Sequence, residues 1–201
     1  MSHHALLPFR QGELDGLCGI YAVINAIRLA LGVRANLFRP PVWQDLFVAL
    51  LESVDQSVGA AHAASNGIDT QPLRYLLKAA ILHLATEHDV AIRAKPMLGR
   101  DEQPCFEELL RRLGDWVGQP GQAVVLSVFG SLNHWTVVRR ISRSSLILFD
   151  SSGYARISLD ACRMAHERPR PKGRQHIVPH DAIFCVAATL SRLATVPTRR
   201  G

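Results

Sequence analysis

A thiol, an imidazole, a carboxylate and a carboxamide are spaced in this chain so that they could share one covalent mechanism. Cys18 lies in Gln11-Gly-Glu-Leu-Asp15-Gly16-Leu-Cys18-Gly19-Ile20, where a polar segment gives way to an apolar run. A thiol at a helix N-terminus meets unpaired backbone N–H groups and the positive end of the helix dipole, and both favour thiolate. The Cys18 N–H supplies one oxyanion donor, and Gln11, seven residues upstream, supplies a second. His134, in Asn133-His134-Trp135-Thr136-Val137-Val138, opens an apolar strand after a Gly-Ser-Leu-Asn turn and is the candidate base. Asp150 closes the next strand, Leu146-Ile147-Leu148-Phe149-Asp150. A hairpin of that length sets its two ends side by side, which lets the carboxylate hold the far imidazole nitrogen. Together these are the parts of a Cys-His-Asp nucleophilic site.

The elements that must position these groups follow from periodicity. Ile20, Val23, Ile24, Ile27 and Leu31 recur at helical spacing until Gly32 stops them, and apolar residues nearly all round make this helix central and buried. Further helices are expected over Trp43 to Val54, from Gly67-Ile-Asp-Thr-Gln-Pro through about Leu84, and over Pro104 to Val117. Ser57 to Asn66, rich in small residues, reads as a mobile loop, and Val90 to Ala94 as a short strand. Ala123 to Phe129, Trp135 to Ile141, Leu146 to Phe149, Ala155 to Leu159 and Ala182 to Ala188 read as strands. Arg168 to Pro179, with three prolines, reads as a long irregular loop. Helices first and antiparallel strands afterwards imply an α+β fold, a single domain over 1–201 with a helical part at about 12–118 and a sheet part at about 122–190.

Composition narrows the function classes. At 201 residues, 48% hydrophobic and 20% charged, the chain can bury a sizeable core without disulfides. No apolar run is read as membrane-spanning and the N-terminus has no signal-peptide pattern, so a cytoplasmic location is expected. Cys18, Cys105, Cys162 and Cys185 form no CxxC pair, which fits catalytic or buried thiols. The net charge of +6 gathers late, at Arg163, Arg168, Arg170, Lys172 and Arg174, then Arg192, Arg199 and Arg200. It reads as a solvated basic loop and tail; no aromatic interleaving or nucleic-acid motif accompanies it, so nucleic acid is not an expected partner. Cys162-x3-His166 and His176-x3-His180 have ligand-like spacing but complete no familiar zinc pattern, so they read as surface histidines, and neither metal nor cofactor is expected. Oligomeric state is not encoded in any pattern here.

Taken in order, Gln11…Cys18-Gly19 at a helix start, His134-Trp135-Thr136-Val137-Val138 and Phe149-Asp150 resemble the papain-like cysteine peptidase superfamily. Within it the motifs look most like the bacterial double-glycine (bacteriocin-leader) peptidases, although Gly16 and Leu17 separate Asp15 from Cys18 and Ser151 follows Asp150. Asp15-Gly16-Leu17-Cys18 is also similar to the Asp-Gly-Asn-Cys of ovarian-tumour-type deubiquitinases, and Gln…Leu-Cys with a later His-Trp-x-x-Val to Josephin domains. The resemblance implies a papain-like fold and thiol hydrolysis of an extended peptide or protein tail, with a Gly-Gly ending as one candidate. It makes Asp15 an accessory second orienter. The same triad also serves acyl transfer, as in transglutaminase-like enzymes, and a non-catalytic binding module on this fold is the remaining alternative.

Overall fold

A computed structural model describes residues 6–13, 15–169, 173 and 175–189. Helix α1 (Cys18–Leu31) is almost wholly buried, and it ends where Gly32, at φ 59°, turns its N–H back onto the Arg28 and Leu29 carbonyls. A 3-10 segment (Gly32–Leu37) leads to α2 (Pro40–Val58), which Pro40 opens at a position whose N–H would be unpaired anyway. Next come α3 (Ala60–Asn66), α4 (Thr70–His88), strand β1 (Ile92–Pro96) and α5 (Phe106–Val117). The rest of the described chain is β2 (Gln122–Gly130), β3 (His134–Ile141), β4 (Ser145–Leu148), β5 (Arg156–Ser158), β6 (Cys162–Met164), β7 (His176–Val178) and β8 (Ile183–Ala188).

The sheet runs β1-β8-β2-β3-β4-β5 with antiparallel pairing throughout, while β7 pairs with the end of β2 and, in parallel, with β6. Alternation along β2 divides the core in two. Ala123 and Val125 belong to the core built with α1, whereas Val124, Leu126 and Val128 pack with Phe106, Leu109 and Leu113 of α5. The architecture is therefore α+β, with α1 pressed on one face of the sheet and α5 on the other. The helical part is not one layer, and β1, inside it by sequence, joins the sheet beside β8.

Three expectations need correction. Ser57 to Asn66 is no loop: α2 runs to Val58 and Ala60–Asn66 is a helix, its first N–H accepted by Asp55 Oδ1 at 2.8 Å. Alanine is the best helix former, and the one break the backbone takes is Gly59 at φ 86°. Inside the expected loop Arg168 to Pro179, His176–Val178 forms a strand, Ile177 pairing with Phe129. Finally, Cys18–Leu37 is, by length and composition, a 20-residue apolar helical stretch long enough to span a membrane, with mean hydropathy 1.4 over its best 18 residues, of which 67% is buried inside the fold. Most of its α1 part is spent on the core, while Val33 and Leu37 stay exposed.

The basic late segment also divides. Arg163 is buried and gives its guanidinium to Gln175 Oε1 and to the carbonyls of Met164, Ala165 and Glu167, so it serves the fold rather than a solvated face. Arg168 is exposed. The N-terminal residues 1–5, together with Arg170, Lys172, Arg174, Arg192, Arg199 and Arg200, lie outside the described residues.

Candidate active site

The backbone brings Cys18, His134 and Asp150 to one place from three elements. Cys18 is the first residue of α1, and the residue before it, Leu17, makes no side-chain cap. The leading N–H groups of α1 have no partner within the helix, as at any helix start. The preceding loop is set by close approaches. Gly16 N donates to Ala64 O at 2.6 Å, and a Cβ on Gly16 would come within 2.9 Å of that same oxygen. A Cβ on Gly19 would meet Ile68 Cδ1 at 2.5 Å, so α1 seats against the segment between α3 and α4 only because residue 19 has no side chain. Trp135, next to His134, donates its indole N–H to Ile68 O at 2.7 Å and ties the sheet to that segment.

His134 begins β3, and Asp150 follows β4. Val138 pairs with Leu148, and Phe149 N donates to Val137 O at 2.9 Å. Continuing that register sets Asp150 opposite Thr136, one step along the same strand face from His134. The carboxylate reaches diagonally: His134 Nε2 lies 2.8 Å from Asp150 Oδ2. Asp150 Oδ1 accepts the backbone N–H groups of Ser152 at 2.8 Å and Tyr154 at 3.1 Å. With Nε2 committed to Asp150, Nδ1 is the ring nitrogen left free, and Cys18 lies close enough to influence the imidazole's protonation.

All three groups are buried: 8% of Cys18, 8% of His134 and 3% of Asp150 is exposed. Burial alone would lower the imidazole's pKa. The bonds and charges of Asp150 and Cys18 outweigh it and raise His134 to about 9. Burial likewise pushes the Asp150 carboxyl upward. Against it act the bond from His134, the nearby Thr136 hydroxyl, the imidazolium charge and the Tyr154 N–H, which hold it below the usual carboxylate value. The buried Thr136 hydroxyl sits near this carboxylate without a hydrogen bond of ordinary geometry. An imidazolium is thus the favoured form at neutral pH.

Gln11 is beside this group, held from both sides. Its N–H donates to Ser151 O at 3.1 Å, its Oε1 accepts the Ser151 hydroxyl at 3.4 Å, and its Nε2 donates to the Asp15 carbonyl. A carboxamide carries two N–H groups, so one remains for an oxyanion. Asp15 has a different role from the one expected. Its Oδ1 accepts Leu17 N at 3.0 Å and its Oδ2 accepts Gly12 N at 3.1 Å, so it shapes the loop between Gln11 and Cys18. The carboxylate on His134 is that of Asp150.

Two further side chains complete the site. Asn25, buried on α1, accepts Phe9 N at 2.8 Å and donates to Phe9 O at 3.0 Å, anchoring the segment that carries Gln11 two residues on. A lone amide in an apolar helix was the readable signal for it. Tyr154 lies edge-on to His134, with ring centroids 5.6 Å apart, and is 43% exposed, so it covers part of the imidazole from the solvent side. No sequence pattern marked that tyrosine.

Comparison of the chain with protein-family models, with curated proteins and with solved structures found no match. Among the described residues no three His, Cys, Asp or Glu side chains cluster as metal ligands. Cys162 and His176 are register partners across β6 and β7, and the Cys162 thiol donates to Ser158 O at 3.3 Å, while His166 is exposed.

Proposed function

We propose that this chain is a papain-like cysteine hydrolase, a thiol peptidase or isopeptidase acting on an extended peptide or protein tail, with a Gly-Gly ending as the first candidate. One observation carries the reading: a buried imidazole bonded through Nε2 to Asp150, with the helix-terminal Cys18 close enough to raise its pKa. In such an arrangement the Cys18 thiolate, paired with imidazolium His134, attacks the substrate carbonyl. The Cys18 N–H and the remaining Gln11 N–H hold the oxyanion. His134 gives its proton to the leaving amine, then as neutral imidazole takes one from water, and hydroxide addition releases the acyl group and frees the thiol. Asp150 keeps the ring oriented and stabilises its cationic form throughout.

The test is the pH dependence of Cys18 alkylation by iodoacetamide in wild type and in His134→Ala. The expected result is a thiolate that persists well below the free-cysteine pKa of about 8.5 and disappears in the variant. Selectivity for Cys18 over Cys105, Cys162 and Cys185 belongs to the same result. An ordinary thiol titration, unchanged by the substitution, would overturn the proposal.

A further inference from the structure

A cleft of about 590 Å³ lies between the N-terminal segment, α1 and the start of α2. Its walls are aromatic. Phe9 meets Trp43 edge-on at 5.9 Å, and Phe38 meets Trp43 edge-on at 5.8 Å. Its two charged lining residues are both cations, Arg10 and Arg28, and no Asp or Glu lines it among the described residues. Arg28 is the unusual one. Its guanidinium carbon sits 3.8 Å from the Phe9 ring centroid and 5.4 Å from that of Trp43. Its Nε is buried with no hydrogen-bond partner, and no carboxylate pairs with it among the described residues.

A guanidinium fork laid on aromatic faces, with its N–H edge unclaimed, matches a carboxylate attached to an apolar body. Two of its lining residues neighbour the site groups along the chain. Tyr21 lines it one turn after Cys18, and Arg10, adjacent to Gln11, packs against Gly153. Cys18 and Arg28 are ten residues apart on α1, about 15 Å along the axis at 1.5 Å per residue. An extended peptide covers that span in about four or five residues.

We propose that this cleft is a substrate-docking groove for a carboxylate borne on or next to an apolar residue, three to five positions from the carbonyl that Cys18 attacks, with Arg28 taking the carboxylate and Phe9, Phe38 and Trp43 the apolar side chain. The substrate role rests on the hydrolase reading; the ligand chemistry stands on the cleft itself. A chain terminus and an acidic side chain offer the same group.

The experiment measures binding to the full chain carrying Cys18→Ala, by calorimetry and by intrinsic tryptophan fluorescence. The probes are acetyl-Gly-Gly-Ala-Ala-Phe with a free carboxylate, the same peptide amidated, and acetyl-Gly-Gly-Ala-Phe-Asp amide. At least one carboxylate probe should bind ten-fold or more tightly than the amidated Phe peptide, and whichever is tighter identifies terminus or side chain. Arg28→Gln should erase that preference and Arg28→Lys should keep part of it; far-UV circular dichroism checks both folds. The acid–amide difference needs no substitution, so it stands even where a variant misfolds. Equal affinity for acid and amide, a preference that survives Arg28→Gln, or no binding at millimolar peptide would each overturn the inference. Since the binding protein lacks the thiol, this outcome is independent of the alkylation profile that tests the hydrolase reading.

Discussion

Two charge clusters in this protein have similar distances and opposite settings. On α5, Arg111 bridges Glu108 and Asp115 at 2.7 and 3.1 Å, and Arg112 bridges Glu102 and Glu108 at 2.5 and 2.9 Å. Those side chains stand a third or more in solvent, and Glu108 is held down to about 2 chiefly by its bonds from Arg111 and Arg112. At the other cluster His134 and Asp150 meet at 2.8 Å inside the protein. Water and salt screen the first and barely reach the second. Contact distance alone therefore says little: the exposed network decorates a helix, while the buried pair decides the protonation state of a site.

The comparison breaks most visibly through chemistry. His134→Ala should lower turnover of a Gly-Gly-ended peptide by about a thousand-fold or more, as loss of a triad base does elsewhere, with far-UV circular dichroism unchanged. Asp150→Asn keeps the shape but replaces the charge on Nε2, and should cost about a hundred- to ten-thousand-fold while shifting the acid limb of the rate profile. A rate near wild type in either variant would place the buried cluster in the same class as the exposed one.

Stability gives the next contrast. His134 is raised from 6.5 to about 9 on folding, so its contribution is full below about 6.5 and is lost as pH rises through 9. Asp150 is lowered, so its contribution is present above the ordinary carboxylate range and is lost as pH falls through its folded value. Urea melts should therefore show wild type losing stability between pH 6.5 and 9, by up to about 3 to 4 kcal/mol from this residue. His134→Ala should flatten that slope. Parallel slopes in the two proteins would contradict the assigned shift.

Smaller effects test the scaffold. Gly19→Ala must push Ile68 aside, an overpacking that costs about 1–3 kcal/mol and should lower Tm by several degrees, with slower Cys18 alkylation because α1 moves. Glu108→Gln, which removes the centre of the α5 network, should leave Tm within about 1–2 °C of wild type. A larger fall would mean that the network couples to the core beneath Leu109 and Leu113.

Much of the site was legible before the structure because its signals are local. Cys18 sits at a change from polar to apolar periodicity, and His134 and Asp150 sit at the ends of runs that alternate or stay apolar. The strand register then brings them together. The accessory role for Asp15 comes only from the resemblance; in the structure its two carboxylate oxygens accept Gly12 N and Leu17 N within its own loop. Three-residue strands such as β7 carry no period of their own, and a run of alanines reads as loop or helix depending on what seals it.

Residue order alone determined the α+β class, the buried first helix and the identity of thiol, imidazole, carboxylate and amide, because each rests on periodicity or on side-chain chemistry. Tertiary structure decided which nitrogen of His134 takes Asp150, that Gln11 is braced by Ser151 and Asn25 anchors its segment, that α5 lies across the sheet from α1, and that Arg28 sits unpaired among aromatic rings. Those are relations between segments far apart in the chain, and only packing of the sheet against α1 sets their distances and removes the water that would otherwise level their charges.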